Sequence, residues 1–184
     1  MQLTSLDDVN AWLGLDAGHQ DEQLLLRLIT SASGFVENYT NRCFSLETYT
    51  EQRDGNGKMR ITPLNWPVRS IASVLIGSQV IPQAVSSLQG NGWYQVRNVI
   101  HLRGYVFERG DANISLSYTA GWLTPPDDIA QAVIELVSLR YKEKGHIGLN
   151  SVSAAGETTS YSTRDMPADV ATLLNQYRRV VPVV

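Results

Sequence analysis

Cysteine is almost absent from this chain. Cys43 stands alone, so no intrachain disulfide can form, which fits a protein made in a reducing cytoplasm. Histidine is nearly as scarce. His19, His101 and His146 fall in two loops and a strand by pattern, without ligand spacing and without Glu or Cys partners nearby, so no metal and no cofactor are expected. No apolar run approaches the roughly 20 residues that span a bilayer. The opening Met-Gln-Leu-Thr-Ser-Leu-Asp-Asp lacks a basic start and an apolar stretch, so neither a secretory signal nor a membrane partner is expected. A positive excess is missing too. The net charge is −3: residues 1–44 set Arg27 and Arg42 against six carboxylates, residues 45–123 carry seven basic and five acidic side chains, and residues 124–184 carry six and seven. No segment has the surplus expected of a phosphate-neutralising surface.

Catalytic patterns are lacking as well. No G-x-S-x-G elbow occurs in the Ser/Thr-dense stretch 151–163. Gly55-Asn56-Gly57-Lys58 lacks the spacing, the following Ser/Thr and the helix of a phosphate loop, and reads as a turn. Asp7/Asp8 and Asp127/Asp128 are paired carboxylates, but both pairs sit where helices start, and capping explains them. Cys43 has no nucleophile signature around it and is expected as a half-buried core thiol. An enzyme is therefore not expected.

What is present is a change of period along the chain. A helix over about 5–13 starts at Thr4 or Ser5, places Leu6, Val9 and Leu13 on one face and stops at Gly14. A second, over about 21–40, repeats Leu24, Leu25, Leu28, Ile29, Ala32, Phe35 and Val36 at helical spacing, with Leu28 in mid-face. From about 45 to 120 the pattern turns to short strands. Residues 48–50 pair through Asp54-Gly55-Asn56-Gly57 with 59–64, a return strand shortened by Pro63 and Pro67. Residues 68–76 turn at Gly77-Ser78, two runs at 93–96 and 99–102 flank Asn98, and 113–119 alternates Ile114, Leu116 and Tyr118. Trp122 is expected to plug the core where the sheet ends.

A third helix over about 127–144 follows Pro125-Pro126, buries Ile129, Val133, Leu136, Val137 and Tyr141, and ends in Arg140, Lys142 and Lys144. A fourth, about 166–180, buries Val170, Leu173, Leu174 and Tyr177. The expected fold is α+β. A small four-helix core, with two N-terminal and two C-terminal helices, carries an inserted antiparallel β section, all in one domain over 1–184.

Two features remain for function. The first is the segment 145–163, long, polar and rich in Gly, Ser and Thr between two well-signalled helices. A passive link between adjacent helices needs only about 2–8 residues, so the excess suggests reach towards a neighbour. Glu157, Thr159, Tyr161, Arg164, Arg178 and Arg179 form the candidate assembly interface. The second is the aromatic and basic content of the β section. Trp93, Tyr94, Arg97 and Tyr105 could stack bases, but strand packing explains large alternate side chains without nucleic acid.

Four residue groups, taken in order, resemble the head–tail connector (adaptor, or head completion) proteins of long-tailed bacteriophages. They are the opening Leu3-Thr4-Ser5-Leu6-Asp7-Asp8-Val9-Asn10-Ala11-Trp12-Leu13-Gly14; Asp21-Glu22-Gln23-Leu24-Leu25 running to Gly34-Phe35-Val36-Glu37-Asn38-Tyr39-Thr40-Asn41-Arg42; Tyr118-Thr119-Ala120-Gly121-Trp122 with Pro126-Asp127-Asp128-Ile129; and Gly156-Glu157-Thr158-Thr159-Ser160-Tyr161-Ser162 with Met166-Pro167. The resemblance implies a structural virion protein at the head–tail junction. Copies of it would form a ring, commonly twelve-fold, below the portal protein. The ring would extend the channel through which genomic DNA passes without specific binding, and would present a docking surface to a tail-completion or stopper protein. It implies no catalytic residues. The alternative reading is a β-rich nucleic-acid-binding module of a phage or prophage.

Overall fold

Ser5 starts the first helix by a reciprocal cap. Its hydroxyl accepts the Asp8 amide at 3.1 Å, and the Asp8 carboxylate accepts the Ser5 backbone N–H at 3.4 Å and the Ser5 hydroxyl at 2.5 Å. In this computed structural model, which describes residues 1–16, 18–145, 151–154, 157–160 and 166–179, the capped helix is α1, Leu6–Leu13. It stops where Gly14 turns left-handed at φ 68°. Helix α2 (Glu22–Thr40) stops the same way at Asn41, φ 52°. Helix α3 (Asp127–Lys142) and helix α4 (Ala168–Tyr177) both start from prolines, Pro126 and Pro167, whose missing N–H would have had no partner there.

The chain divides into two compact units, Met1–Phe44 with Pro125–Val184, and Ser45–Thr124. The first holds the four α-helices seen among the described residues. Its core is Val9 of α1, Leu25, Ile29, Ala32 and Val36 of α2, Ile129, Val133, Leu136 and Val137 of α3, and Val170 and Leu174 of α4. Full burial of each large aliphatic is worth about 1.5–3 kcal/mol. The α2 stripe is narrower than expected: Leu24, Leu28 and Phe35 are only half-buried, so the fully covered line is Leu25, Ile29, Ala32 and Val36. Leu173 of α4 is half-buried too.

The second unit is antiparallel β. Strands β1 (Glu47–Gly55), β7 (Gly110–Ala120), β3 (Val68–Ile76) and β4 (Gln79–Ile81) form one sheet in the order β1-β7-β3-β4. Strands β2 (Arg60–Ile61), β6 (Val99–Arg103) and β5 (Gly92–Val96) form another in the order β2-β6-β5. Val74, Ile114, Leu116 and Tyr118 from the larger sheet and Ile61, Trp93, Ile100 and Leu102 from the smaller belong to one buried cluster. The fold is α+β.

Two expectations fail in this unit. β1 does not pair with 59–64; it pairs with β7 over Glu47↔Ala120 to Arg53↔Ile114, while β2 pairs with β6. A nine-residue strand needs a long partner, and the return run is cut to two residues before Pro63, which has no N–H to donate. The turn therefore carries the chain from one sheet to the other. Trp122 is half-buried and does not plug the core. Next to it the chain passes close to its own sheet: Gly121 sits at φ 113°, and a Cβ there would stand 2.0 Å from the Ser45 carbonyl oxygen.

The stretch 145–163 also differs from a plain loop. Strands β8 (Ser151–Ala154) and β9 (Glu157–Ser160) pair antiparallel from Ser151↔Ser160 to Ala154↔Glu157.

Candidate functional site

One member of each carboxylate pair serves the fold. Asp8 belongs to the α1 cap. Asp128 accepts its neighbour Ile129 N–H at 2.9 Å and the Tyr177 hydroxyl at 2.8 Å, tying the start of α3 to the end of α4. Asp21, just before α2, accepts the Tyr141 hydroxyl at 2.8 Å and the Lys144 ammonium at 2.6 Å. Those bonds, Lys144 first, hold the Asp21 carboxyl below the usual range, and the same contact raises Lys144 and Tyr141. His19 bonds Asn10 and the Asp21 amide. Among the described residues no three His, Cys, Asp or Glu side chains converge as a metal would require.

The six candidate assembly residues are not gathered into one place by what is described. Tyr161 and Arg164 lie outside the described residues. Glu157 and Thr159 stand in β9, opposite Ala154 and Val152. Arg178 and Arg179 follow α4 and bind it to the end of α2: the Arg178 guanidinium lies 5.5 Å from the Tyr39 ring centre, and the Arg179 N–H donates to the Thr40 carbonyl at 2.8 Å. Arg42 donates from Nε to the Tyr177 carbonyl. Burial, with the Arg179 charge nearby, pulls Arg42 down to about 10. These arginines have intramolecular work at the α2–α4 joint.

The proposed base-stacking residues separate. Trp93 is in the core at 6% exposure and Tyr105 packs partly against it, while Arg97 occupies the β5–β6 turn in a left-handed conformation, φ 54°. Arg97 is exposed at that turn, and Tyr94 is half-buried, stacked on His101 with ring centres 5.3 Å apart.

One surface escaped the sequence reading. Trp12 is 55% exposed and, with Asp8, Ala11, Asp127, Gln131 and Ile134, lines an open cleft of about 470 Å³ between α1 and α3. The available signal was that an eight-residue helix carrying Leu6, Val9, Trp12 and Leu13 has more apolar side chains than one narrow stripe can cover.

The profile of the head completion protein family matches residues 2–180. The chain belongs to the head completion protein family. Solved structures agree on the fold of this head completion protein. A chain from the neck of an empty gene transfer agent (GTA) particle, computed with C6 symmetry, is similar at TM-score 0.57 and 20% identity over 98% of this chain and 92% of the other. A chain from the neck of a native GTA particle with C12 symmetry is similar at 0.56 and 19%, over 98% and 91%. A chain from a native GTA virion is similar at 0.56 and 18%, over 98% and 92%. No curated protein matches in sequence. The resemblance read from the four residue groups is thus borne out at the level of the family.

Proposed function

We propose that this head completion protein is a non-catalytic ring subunit of a phage or prophage particle, joining head to tail below the portal and surrounding the path of the DNA. The observation that carries the reading is end-to-end likeness, 98% of this chain, to a subunit of a neck with twelve-fold symmetry. The two units would act together as one connector domain. The α1–α3 cleft around Trp12 and the 151–160 hairpin are surfaces by which copies, the portal and a stopper protein would meet.

The test is negative-stain microscopy of the purified protein, alone and mixed with the portal protein of its own particle. Closed rings, or a collar added to the portal, are expected. A protein that stays monomeric and leaves the portal unchanged overturns the ring.

A further inference from the structure

The outer face of the small sheet gathers charge that the linear sequence disperses. Arg60 of β2 stands opposite His101 of β6, and His101 opposite Tyr94 of β5, so three side chains form a row across three strands. The opposite face of the same sheet is the apolar one, with Ile61, Ile100, Leu102 and Trp93 buried. Arg103 extends the row, its guanidinium 5.6 Å from the Tyr94 ring centre. Arg53, Asn56, Lys58, Arg60, Thr62 and His101 line an open concavity of about 560 Å³.

The cations there are poorly matched by the unit's own carboxylates. The Lys58 and Arg60 side chains make no hydrogen bond or ion pair with any described residue. Arg53 reaches Glu51 only at 3.6 Å, and Glu51 already accepts the Tyr118 hydroxyl and the Leu64 amide. Asp54 accepts the Ala112 amide and Glu47 the Ser45 hydroxyl.

We infer that this face is a sequence-independent contact for the phosphate backbone of duplex DNA. It rests on the connector reading for the choice of polyanion and goes beyond it in naming the residues. Exposed, unpaired cations beside a stacked ring contact phosphate and sugar without reading bases. A few such charges per copy make a weak, salt-screened contact that lets DNA slide, unlike the long basic surface that would hold it. An acidic second copy of the chain is the rival occupant. The experiment below separates the two.

The full-length protein is titrated into a labelled mixed-sequence duplex of roughly 30 base pairs, from about 50 to about 200 mM salt. Binding in the micromolar range at the lower salt is expected, weakening about 40-fold across the range if about three phosphates are neutralised. The double variant Lys58→Gln/Arg60→Gln should bind at least ~10-fold more weakly and reduce the salt slope by about 2, while Arg27→Gln/Lys142→Gln, the same charge change on the helical unit, should not. Absence of binding at ~100 μM protein, or equal losses in the two double variants, overturns the inference. So does a sedimentation experiment in which the Lys58/Arg60 change dissolves self-association and leaves DNA binding intact; the face is then a contact between copies. Ring formation is followed in the same preparations: rings without DNA binding sink this inference alone, and DNA binding without rings sinks the connector reading alone.

Discussion

Tyr177 joins three parts of the helical unit with one residue. Its hydroxyl donates to Asp128 at the start of α3, its ring meets Phe44 edge-on with centres 5.8 Å apart, and its carbonyl accepts from Arg42. Burial, followed by the Asp128 carboxylate that accepts its proton, pushes the Tyr177 phenol up to about 12; burial first, with Glu51 acting likewise, does the same to Tyr118. The sign follows. A folded-state value above the unfolded one near 10 gives stability that is whole below about pH 10 and is lost as pH rises through about 12. Alkaline titration followed by phenolate absorbance should therefore show a late group in the native protein that merges with the rest in denaturant. Tyr177→Phe should remove one phenol from that late group. Titration of every phenol near pH 10 in the native state would contradict the burial described.

Also at this scale, α2 supplies a paired test of packing. Leu25 is fully buried and Leu28 is not. Leu25→Ala should cost about 2–5 kcal/mol in denaturant unfolding, because the cavity it leaves cannot close. Leu28→Ala should cost about 1 kcal/mol, having less burial to lose. Equal costs would mean that the helix is rotated from the face described.

At the scale of elements, the 151–160 hairpin is the clearest object for deletion. Replacing 151–160 by a short Gly-Ser link should leave the helical unit folded, since a change of loop length costs only a fraction of a kcal/mol per doubling. It should abolish ring formation or docking onto the portal. Circular dichroism checks the first outcome and negative-stain microscopy the second; a shortened protein that still assembles removes the hairpin from the interface. The hairpin also shows where sequence reading ran short. Helices α1 and α2 were legible because period and stops coincide: Ser5 caps, Gly14 and Asn41 terminate, and Val9, Leu25, Ile29 and Val36 repeat. Strands β3 and β4 were legible because Gly77 marks their turn. The partner of β1 was not, because Asp54-Gly55-Asn56-Gly57 gives the same local signal whether the chain folds back on itself or crosses to a second sheet. Only the long-range match of β1 with β7 decides between them. The basic face was hidden for a related reason. Lys58, Arg60, His101 and Arg103 are spread over more than forty positions, and antiparallel register, not sequence proximity, makes them neighbours.

On the scale of the whole molecule, the β unit is an insertion whose two ends meet. Glu47, near its beginning, pairs with Ala120, near its end, and Gly121 lets the departing chain pass the Ser45 carbonyl. The chain therefore enters and leaves the β unit at one place, as if by a single tether, and a short hop could stand in for it. Such a hop can be made by other means. A variant in which 46–123 is replaced by a few Gly and Ser residues should retain the cooperative unfolding of the helices and lose affinity for DNA, as read by denaturant titration and anisotropy on one sample. A helical unit that unfolds without the insertion would contradict the single-tether geometry. The β unit thus has a single doorway, with the chain going in and coming out side by side at the β1–β7 edge of its own sheet.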